Sequence, residues 1–383
     1  MQKQQKPTKN PYYIVAPEFT RKSGGITMLY TVCHLLNRKG YRAFIVHEGM
    51  QEGAELSYPE DYQAPFLNEK EARNHIFFGY NPIVIRAEVG RETIHFPATF
   101  RYILNYIGMF PGEPKETDPE FQIDKKFFWA FSKDIAKRHN IPESRVMFTP
   151  IVDTEIFFPP KTENRKGKAC YLGKYAEIFS NKLPQEIDKS FYIFYRNTNK
   201  GLVPTRKEYA EKLRNCEMIY IYENTSVITE ALMCGCVVVC VPNDYCQFTE
   251  KDMIGLAEIG LNGIAIGTGE EEIKRAKETV HLARERILQL MQEFDKKIDY
   301  FIEETQKISH EIKINQELAL RSLNDYFVDY YCQKNLTFSQ KMPREIKRFL
   351  RNINIFGLVE DGVIIRIPYC LKSIVKRLKK LMK

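Results

Sequence analysis

Short apolar runs alternate with amphipathic helical stretches along most of the chain, a pattern typical of α/β proteins with parallel sheets. In the first part, the runs that predict strands cover residues 12–16, 41–46, 83–85 and 146–148. A helix with apolar residues at three- and four-residue spacing follows the first run and ends at Gly40, and another helix is predicted over 132–139. The chain therefore begins with a βαβ unit.

The second part repeats this organisation after a polar linker over 161–168. Its predicted strands cover residues 169–172, 191–195, 218–222 and 237–241. Thr205 and Glu208 form a capping box at the start of one helix. Another helix over 227–234 ends at Gly235. Two Rossmann-like halves are indicated.

The remainder of the chain is helical and charged. From Glu270 to about Tyr330 an apolar face recurs at helical spacing, and we expect it to pack across both halves. The pattern predicts four segments: a first Rossmann-like domain over 1–160, a second over 161–270, a helical segment over 271–342 and a basic tail over 343–383.

Composition narrows the class of protein. A chain of 383 residues suits two domains of ordinary size, and no apolar stretch is long enough to cross a bilayer. The nine cysteines include no C-x-x-C pair, so we interpret the cluster of Cys234, Cys236, Cys240 and Cys246 as small buried residues around a core strand, not as a zinc site. We expect a cytoplasmic protein.

The tail over 343–383 holds eleven Lys and Arg against three acids, which accounts for the whole formal net charge of +8. Its final part, Tyr369 to Met382, has an apolar stripe beside a row of cations, which is typical of a helix lying on an anionic membrane surface. A solvated basic face or a nucleic-acid contact is the alternative. Aromatic residues for base stacking are sparse there, so the membrane interpretation is favoured.

Two glutamates, Glu223 and Glu230, lie on either side of the junction between a predicted strand and the next helix. In open α/β sheets this junction is where nucleotides bind. A carboxylate repels phosphate but accepts hydrogen bonds from sugar hydroxyls. Glu230, which we expect to be partly exposed at a cleft, could therefore bind the ribose of a nucleotide, and Glu223 a sugar attached to it. The ordinary alternatives are an acid that complements the helix dipole and a solvated loop acid.

Other candidate residues follow predicted strands. Gly24 and Gly25, after the first strand, could let backbone N–H groups approach a diphosphate, or form an ordinary turn. Fixed cations can stabilise a departing diphosphate without a metal, although each could equally be a solvated charge. The candidate cations are Lys174, Arg196 and Lys200. Residues that could cap the following helix or bind phosphate are Asn224, Thr225 and Ser226.

Several motifs together resemble the GT-B glycosyltransferases, and within them the retaining, family 4-like enzymes marked by a Glu-x7-Glu pair. The segment from Glu223 to Val239 is similar to their donor site, with Glu230-Ala-Leu-Met-Cys-Gly235 standing where E-A-x-x-x-G is usual. Upstream, the similar segments are Ser23-Gly24-Gly25-Ile26, Val152-Asp153 with Phe158-Pro159, and Tyr171-Leu-Gly173-Lys174. Departures are Pro150-Ile151 for Asn-Gly, Lys174 for arginine and Val237 for proline.

The first domain also resembles a bacterial capsule and lipopolysaccharide subgroup of these enzymes, through the segments Arg86-Ala-Glu88 and Arg101-Tyr-Ile-Leu-Asn105. Arg86, Glu88 and His95 are candidates for the acceptor side, and a structural role is the alternative for His95. The resemblance implies two Rossmann-like domains facing a cleft, with a C-terminal helical extension. It also implies donor contacts at Gly173 and transfer of a sugar from a nucleotide sugar to a lipid-linked or glycan acceptor, with retention.

No cofactor or metal is expected, because the donor is a co-substrate and the sequence contains no Asp-x-Asp motif. The expected partners are the nucleotide sugar, the acceptor and, through 369–383, the inner face of the cell membrane, with no nucleic acid. A sugar-nucleotide epimerase of the same architecture is an alternative enzyme. A non-catalytic membrane-surface binding protein is an alternative of a different class.

Overall fold

The computed structural model describes residues 9–20, 23–47, 62–68, 71–72, 82–90, 98–109, 112–161, 164–180, 182–195, 205–249 and 252–312. Several sequence predictions lie outside these residues. They are His95, Arg196, Lys200, all of the predicted helical segment beyond Ile312 and the whole basic tail. No helix among the described residues is long and apolar enough to span a membrane.

A parallel sheet of six strands organises the first part of the described chain. The strands are β1 (Tyr12–Val15), β2 (Ala43–His47), β3 (Phe66–Asn68), β4 (Ile83–Arg86), β5 (Ala98–Ile103) and β6 (Phe128–Ala130). Their order is β3-β2-β1-β4-β5-β6, which is the doubly wound order of Rossmann domains. Helix α1 (Gly24–Arg38) connects β1 to β2, and α2 (Lys133–Arg138) follows β6.

The second sheet has five parallel strands. They are β7 (Lys168–Leu172), β8 (Phe191–Tyr195), β9 (Met218–Ile221), β10 (Val237–Cys240) and β11 (Ile264–Ile266), in the order β11-β10-β9-β7-β8. This is the flavodoxin-like doubly wound order. The helices are α3 (Lys174–Ile178), α4 (Arg206–Asn215), α5 (Val227–Met233), α6 (Leu256–Ile259) and α7 (Glu270–Glu311). The predicted α/β fold with two Rossmann-like halves is confirmed.

Local signals positioned several helices correctly. The capping box at the start of α4 is complete, because Thr205 accepts from the backbone N–H of Glu208 and the Glu208 carboxylate accepts from the backbone N–H of Thr205. Ser132 caps α2 in a similar way. Gly235 ends α5 with a φ of +71°, a backbone conformation that favours glycine.

The strand predicted over 146–148 is wrong. Val146 makes only an isolated bridge to Ala130, and it directly follows a 3₁₀ turn over Glu143–Arg145. Two further 3₁₀ turns span Pro119–Phe121 and Lys125–Phe127. The chain leaves the edge of the first sheet at this point and crosses towards the second.

Helix α7 packs against both halves. Its first part contributes Ala283, Ile287 and Leu290 to the core that includes the second sheet. Its last part contributes residues such as Ile298 and Phe301 to the core between β1, β4 and α1. The described part of this helix therefore contacts the cores of both halves.

Backbone-to-carboxylate hydrogen bonds join the two halves at α2 and α6. The N–H of Lys133 donates to Glu258 Oε1 at 2.6 Å, and the N–H of Gly255 donates to Asp134 Oδ2 at 3.3 Å. The ring of Phe148 lies against Gly255, where a Cβ would collide with it. These contacts fix one side of the space between the sheets.

Candidate active site

A cleft of about 790 Å³ lies between the carboxyl ends of the two sheets. Pockets for small ligands range over roughly 300–1,000 Å³, so this cleft is large enough for a nucleotide sugar. The first sheet contributes segments that follow β1, β4 and β5, and the second contributes segments that follow β7, β8 and β9. The ionisable side chains among its described lining residues are Glu88, Lys174, Arg206, Glu223 and Glu230, together with three tyrosines.

Each sheet presents its topological switch point to this cleft. The strand order reverses between β1 and β4 in the first sheet, and between β7 and β9 in the second. Gly24 and Glu88 follow the first pair of strands, and Lys174 and Glu223 follow the second. Most of the predicted site residues are brought together because these four loops open towards one space.

Glu223 is buried, and its carboxylate lies beside the first turn of α3. Its Oε2 accepts a 2.9 Å hydrogen bond from the backbone N–H of Tyr175, in the first turn of α3. Gly173 makes room for this contact, because a Cβ at that position would lie 2.8 Å from Glu223 Cδ and closer still to Oε1. The carboxylate therefore fixes the turn that carries Lys174, whose side chain is exposed in the cleft.

Glu230 lies in α5 and forms an ion pair with Arg206, at the start of α4. The distance from Arg206 Nη2 to Glu230 Oε1 is 3.2 Å. Glu230 is only 6% exposed, which corrects the expectation of a partly exposed residue. Burial raises the pKa of Glu230 to about 7 against the lowering effect of Arg206, and the negative charge of Asp153 raises it further.

The second carboxylate oxygen of Glu230, Oε2, accepts no hydrogen bond from a described residue, although the side chain lines the cleft. A carboxylate has about four lone-pair positions, and a buried one is stable only when most are used. The site therefore offers an acceptor to a hydroxyl entering from the cleft.

Glu88 lies opposite, after β4. Its Oε2 accepts a 2.7 Å hydrogen bond from the N–H of Leu104, so the carboxylate ties the ends of β4 and β5 together. Burial raises the pKa of Glu88 to about 7, in spite of its backbone hydrogen bonds. Arg86, predicted beside it, is 3% exposed inside the sheet and is not among the described residues that line the cleft.

The glycines after β1 form the first turn of α1, capped by Ser23. A Cβ at Gly24 or Gly25 would meet its nearest neighbour at 3.6 or 3.5 Å, which is ordinary van der Waals contact. Packing within the protein therefore does not require glycine at either position. The open space that they border belongs to the cleft.

The loop before α5 also lines the cleft. Ser226 occupies the N-cap position of α5 but makes no side-chain capping hydrogen bond to the described residues. Thr225 Oγ1 accepts from the N–H of Val227 at 3.4 Å instead, and Asn224 is exposed. The predicted capping role therefore falls to Thr225, and Asn224 and Ser226 face the open space.

Sequence analysis missed Arg206 and Tyr209. They lie one turn apart on α4, and both line the cleft beside Glu230. The Arg206 guanidinium lies 4.9 Å from the ring centroid of Phe157, and Tyr209 packs edge-on against Phe194. On an amphipathic helix their spacing is ordinary, so only the position of α4 could reveal them.

The clustered cysteines are buried free thiols of the core, as predicted. Within the described ranges, no group of three or more His, Cys, Asp and Glu residues is arranged to hold a metal ion.

Solved structures that are similar to the chain include two glycosyltransferases and a sucrose-phosphate synthase. AviGT4, a glycosyltransferase involved in avilamycin A biosynthesis, is 12% identical with a TM-score of 0.43, over 78% of this chain and 98% of its own. WaaG, a glycosyltransferase involved in lipopolysaccharide biosynthesis, is 9% identical with a TM-score of 0.40, over 79% and 100%. Sucrose-phosphate synthase from Thermosynechococcus elongatus is 9% identical with a TM-score of 0.40, over 84% and 100%.

No family model matches the sequence, and no curated protein is significantly similar to it. Similarity at these identities and TM-scores does not identify an activity. Function has to follow from the residues of the cleft.

Proposed function

We propose that this protein is a glycosyltransferase that moves a sugar from a nucleotide-sugar donor to an acceptor hydroxyl. The observation that carries the proposal is Glu230, a buried carboxylate in the wall of the cleft at the carboxyl end of the second sheet. One of its oxygens binds Arg206, and the other has no described hydrogen-bond donor. Paired ribose hydroxyls are the donors that suit this position.

The donor then extends from Glu230 along the second sheet towards Lys174. Breaking the bond between the anomeric carbon and the diphosphate leaves negative charge on the departing group, and a fixed cation stabilises it. The hydrogen bond between Glu223 and Tyr175, in the turn that carries Lys174, supports this role for Lys174. Arg196 and Lys200 are proposed to assist, so that no metal is needed.

Glu223 is proposed to have two tasks. It holds the turn before α3 in place, and its position in the cleft wall allows it to orient hydroxyls of the transferred sugar. In the transfer, the acceptor oxygen bonds to the anomeric carbon, the diphosphate leaves with the electron pair of the broken bond, and the acceptor proton passes to the departing diphosphate.

The acceptor is proposed to enter from the first sheet. Glu88 faces the cleft there, and a carboxyl group with a pKa of about 7 can accept or donate a hydrogen bond to a hydroxyl. Gly24 and Gly25 border the same side and leave room for the reacting sugar. His95 and Arg86 stay predictions for this side.

The finer assignment also belongs to the proposal. A lipid-linked or glycan acceptor in bacterial surface polysaccharide synthesis, at the cytoplasmic face of the membrane, suits the basic amphipathic segment over 369–383. Retention follows only from the sequence resemblance. Six residues separate Glu223 from Glu230, one fewer than in a Glu-x7-Glu motif.

The test is a panel of UDP, GDP, CMP and dTDP sugars, measured first by thermal shift and then by turnover with candidate acceptors. We expect one nucleotide class to stabilise the protein, as mass action requires for a ligand that binds only the folded state. Nucleotide release that requires an acceptor supports transfer. An altered donor sugar supports the epimerase, binding without turnover supports a binding protein, and stabilisation by none of the four classes contradicts the proposal.

A further inference from the structure

Three polar groups meet around the start of α4 without a full set of partners. Arg206 and Glu230 share one ion pair, through Nη2 and Oε1. Arg206 Nε and the Tyr209 hydroxyl are both buried, and neither has a hydrogen-bond partner among the described residues. Unsatisfied buried donors are few in folded proteins, so two of them beside the Glu230 carboxylate, at one wall of a cleft, indicate a place built for a ligand.

The guanidinium is held firmly on the protein side. It lies over the Phe157 ring, and Glu230 accepts from one of its terminal nitrogens. About a third of the side chain, 36%, stays exposed towards the cleft. An arginine oriented by a carboxylate and an aromatic face presents its remaining N–H groups as a planar fork, which matches phosphate oxygens.

We propose that Arg206 binds a phosphate oxygen of the donor nucleotide, and that Glu230 and the Phe157 ring position it. This rests on the proposed function, because it places the same nucleotide in the same cleft. Glu230 then holds the ribose with one oxygen and the phosphate-binding arginine with the other. A nucleoside diphosphate is bound at both points, and a nucleoside only at the first.

The experiment measures the affinity of the full chain for UDP, GDP, CDP and dTDP and for the matching nucleosides, by calorimetry. With the nucleotide that the wild type prefers, we expect Arg206→Gln to weaken diphosphate binding about tenfold or more, and nucleoside binding less than about threefold. Arg206→Lys should recover part of the loss, because it keeps the charge but not the fork.

The matched control is Arg275→Gln. Arg275 is also 36% exposed and also pairs with a glutamate, Glu272, but it is not among the described residues that line the cleft. Its replacement should leave both affinities unchanged. Circular dichroism and the unliganded Tm of each variant show whether it is folded.

The double variant Arg206→Gln/Glu230→Gln tests the positioning role of Glu230, and Tyr209→Phe tests the unsatisfied hydroxyl. Tyr209→Phe should leave the Tm equal or higher, because it removes a buried hydroxyl that has no hydrogen-bond partner among the described residues. The double variant should lose less affinity than the sum of the two single changes, because Glu230 acts partly through Arg206.

Two results for Arg206→Gln would overturn this inference while leaving the proposed function standing. One is an equal loss of affinity for diphosphate and nucleoside, and the other is a diphosphate affinity within about twofold of the wild type. Additive losses in the double variant would overturn the positioning role of Glu230. A wild type that binds none of the nucleotides would overturn both proposals together.

Discussion

Gly173 and Glu223 fit together so closely that a side chain at position 173 would collide with the Glu223 carboxylate. The Glu223 carboxylate occupies the position beside Gly173 that a Cβ would fill, and from there it accepts the N–H of Tyr175. Residues from two different loops thus form the turn at the switch point of the second sheet. This pair of residues fixes the turn that carries Lys174 in the cleft.

Gly173→Ala should therefore displace Glu223 and loosen the turn. We expect the free energy of unfolding to fall by about 1–3 kcal/mol, as in other overpacked sites, with a larger loss of turnover than of acceptor binding. Urea denaturation and steady-state kinetics measure the two effects. Gly269→Ala is the control, because no atom lies within 4 Å of the added Cβ. Unchanged stability in Gly173→Ala would contradict the close fit.

Glu230→Gln should change the pH dependence of stability. A carboxyl group whose pKa rises from 4.5 in the unfolded chain to about 7 in the folded one makes the folded state lose stability as pH rises through that interval. Glutamine does not titrate, so between pH 5 and 8 we expect the variant to gain about 2 kcal/mol relative to the wild type.

Denaturation curves at the two pH values give this difference, and the contribution of Glu88 cancels because both proteins contain it. Glu217→Gln removes a carboxylate that is 45% exposed and should show no comparable gain. The Glu230 variant should also bind nucleotide more weakly at pH 8. If nucleotide raises the Tm of the variant as much as it raises the Tm of the wild type, Glu230 is not part of the donor site.

Gly24→Ala and Gly25→Ala should separate packing from ligand approach. Their Cβ atoms make only ordinary contacts, and alanine is favoured over glycine in a helix by about 0.5–1 kcal/mol, so the Tm should hold or rise. If a diphosphate or sugar comes close to this turn, turnover should fall well below that of the wild type. Full turnover in both variants would show that the turn is an ordinary one.

Deleting residues 369–383 should abolish binding to anionic vesicles and spare activity on a soluble acceptor. Each cation near the surface contributes about 1 kcal/mol, so binding by the intact chain should weaken with salt and be absent on zwitterionic vesicles. Cosedimentation measures both. Vesicle binding that survives the deletion would refute the anchor.

Local signals in the sequence were sufficient for most helices and for the central strands. The capping box at Thr205, the stop at Gly235 and the apolar runs of β1, β4, β8 and β10 act over a few residues, and the structure places them as predicted. Strands β3, β5, β6 and β11 were missed. Three of them have only three residues, and β5 contains a buried arginine, Arg101, that interrupts the apolar pattern.

By itself, the sequence determined the two α/β halves and which loops carry acids, cations and glycines, because periodicity and strand-end position are local properties. Only the tertiary structure decided what these side chains contact. The sequence predicted that Glu230 is partly exposed, but in the fold it is buried against Arg206 from another helix. The sequence identified Glu223 as a loop acid, and in the fold its carboxylate accepts a hydrogen bond from Tyr175, 48 residues earlier in the chain. Such pairings depend on strand order and helix packing, which join residues distant in sequence.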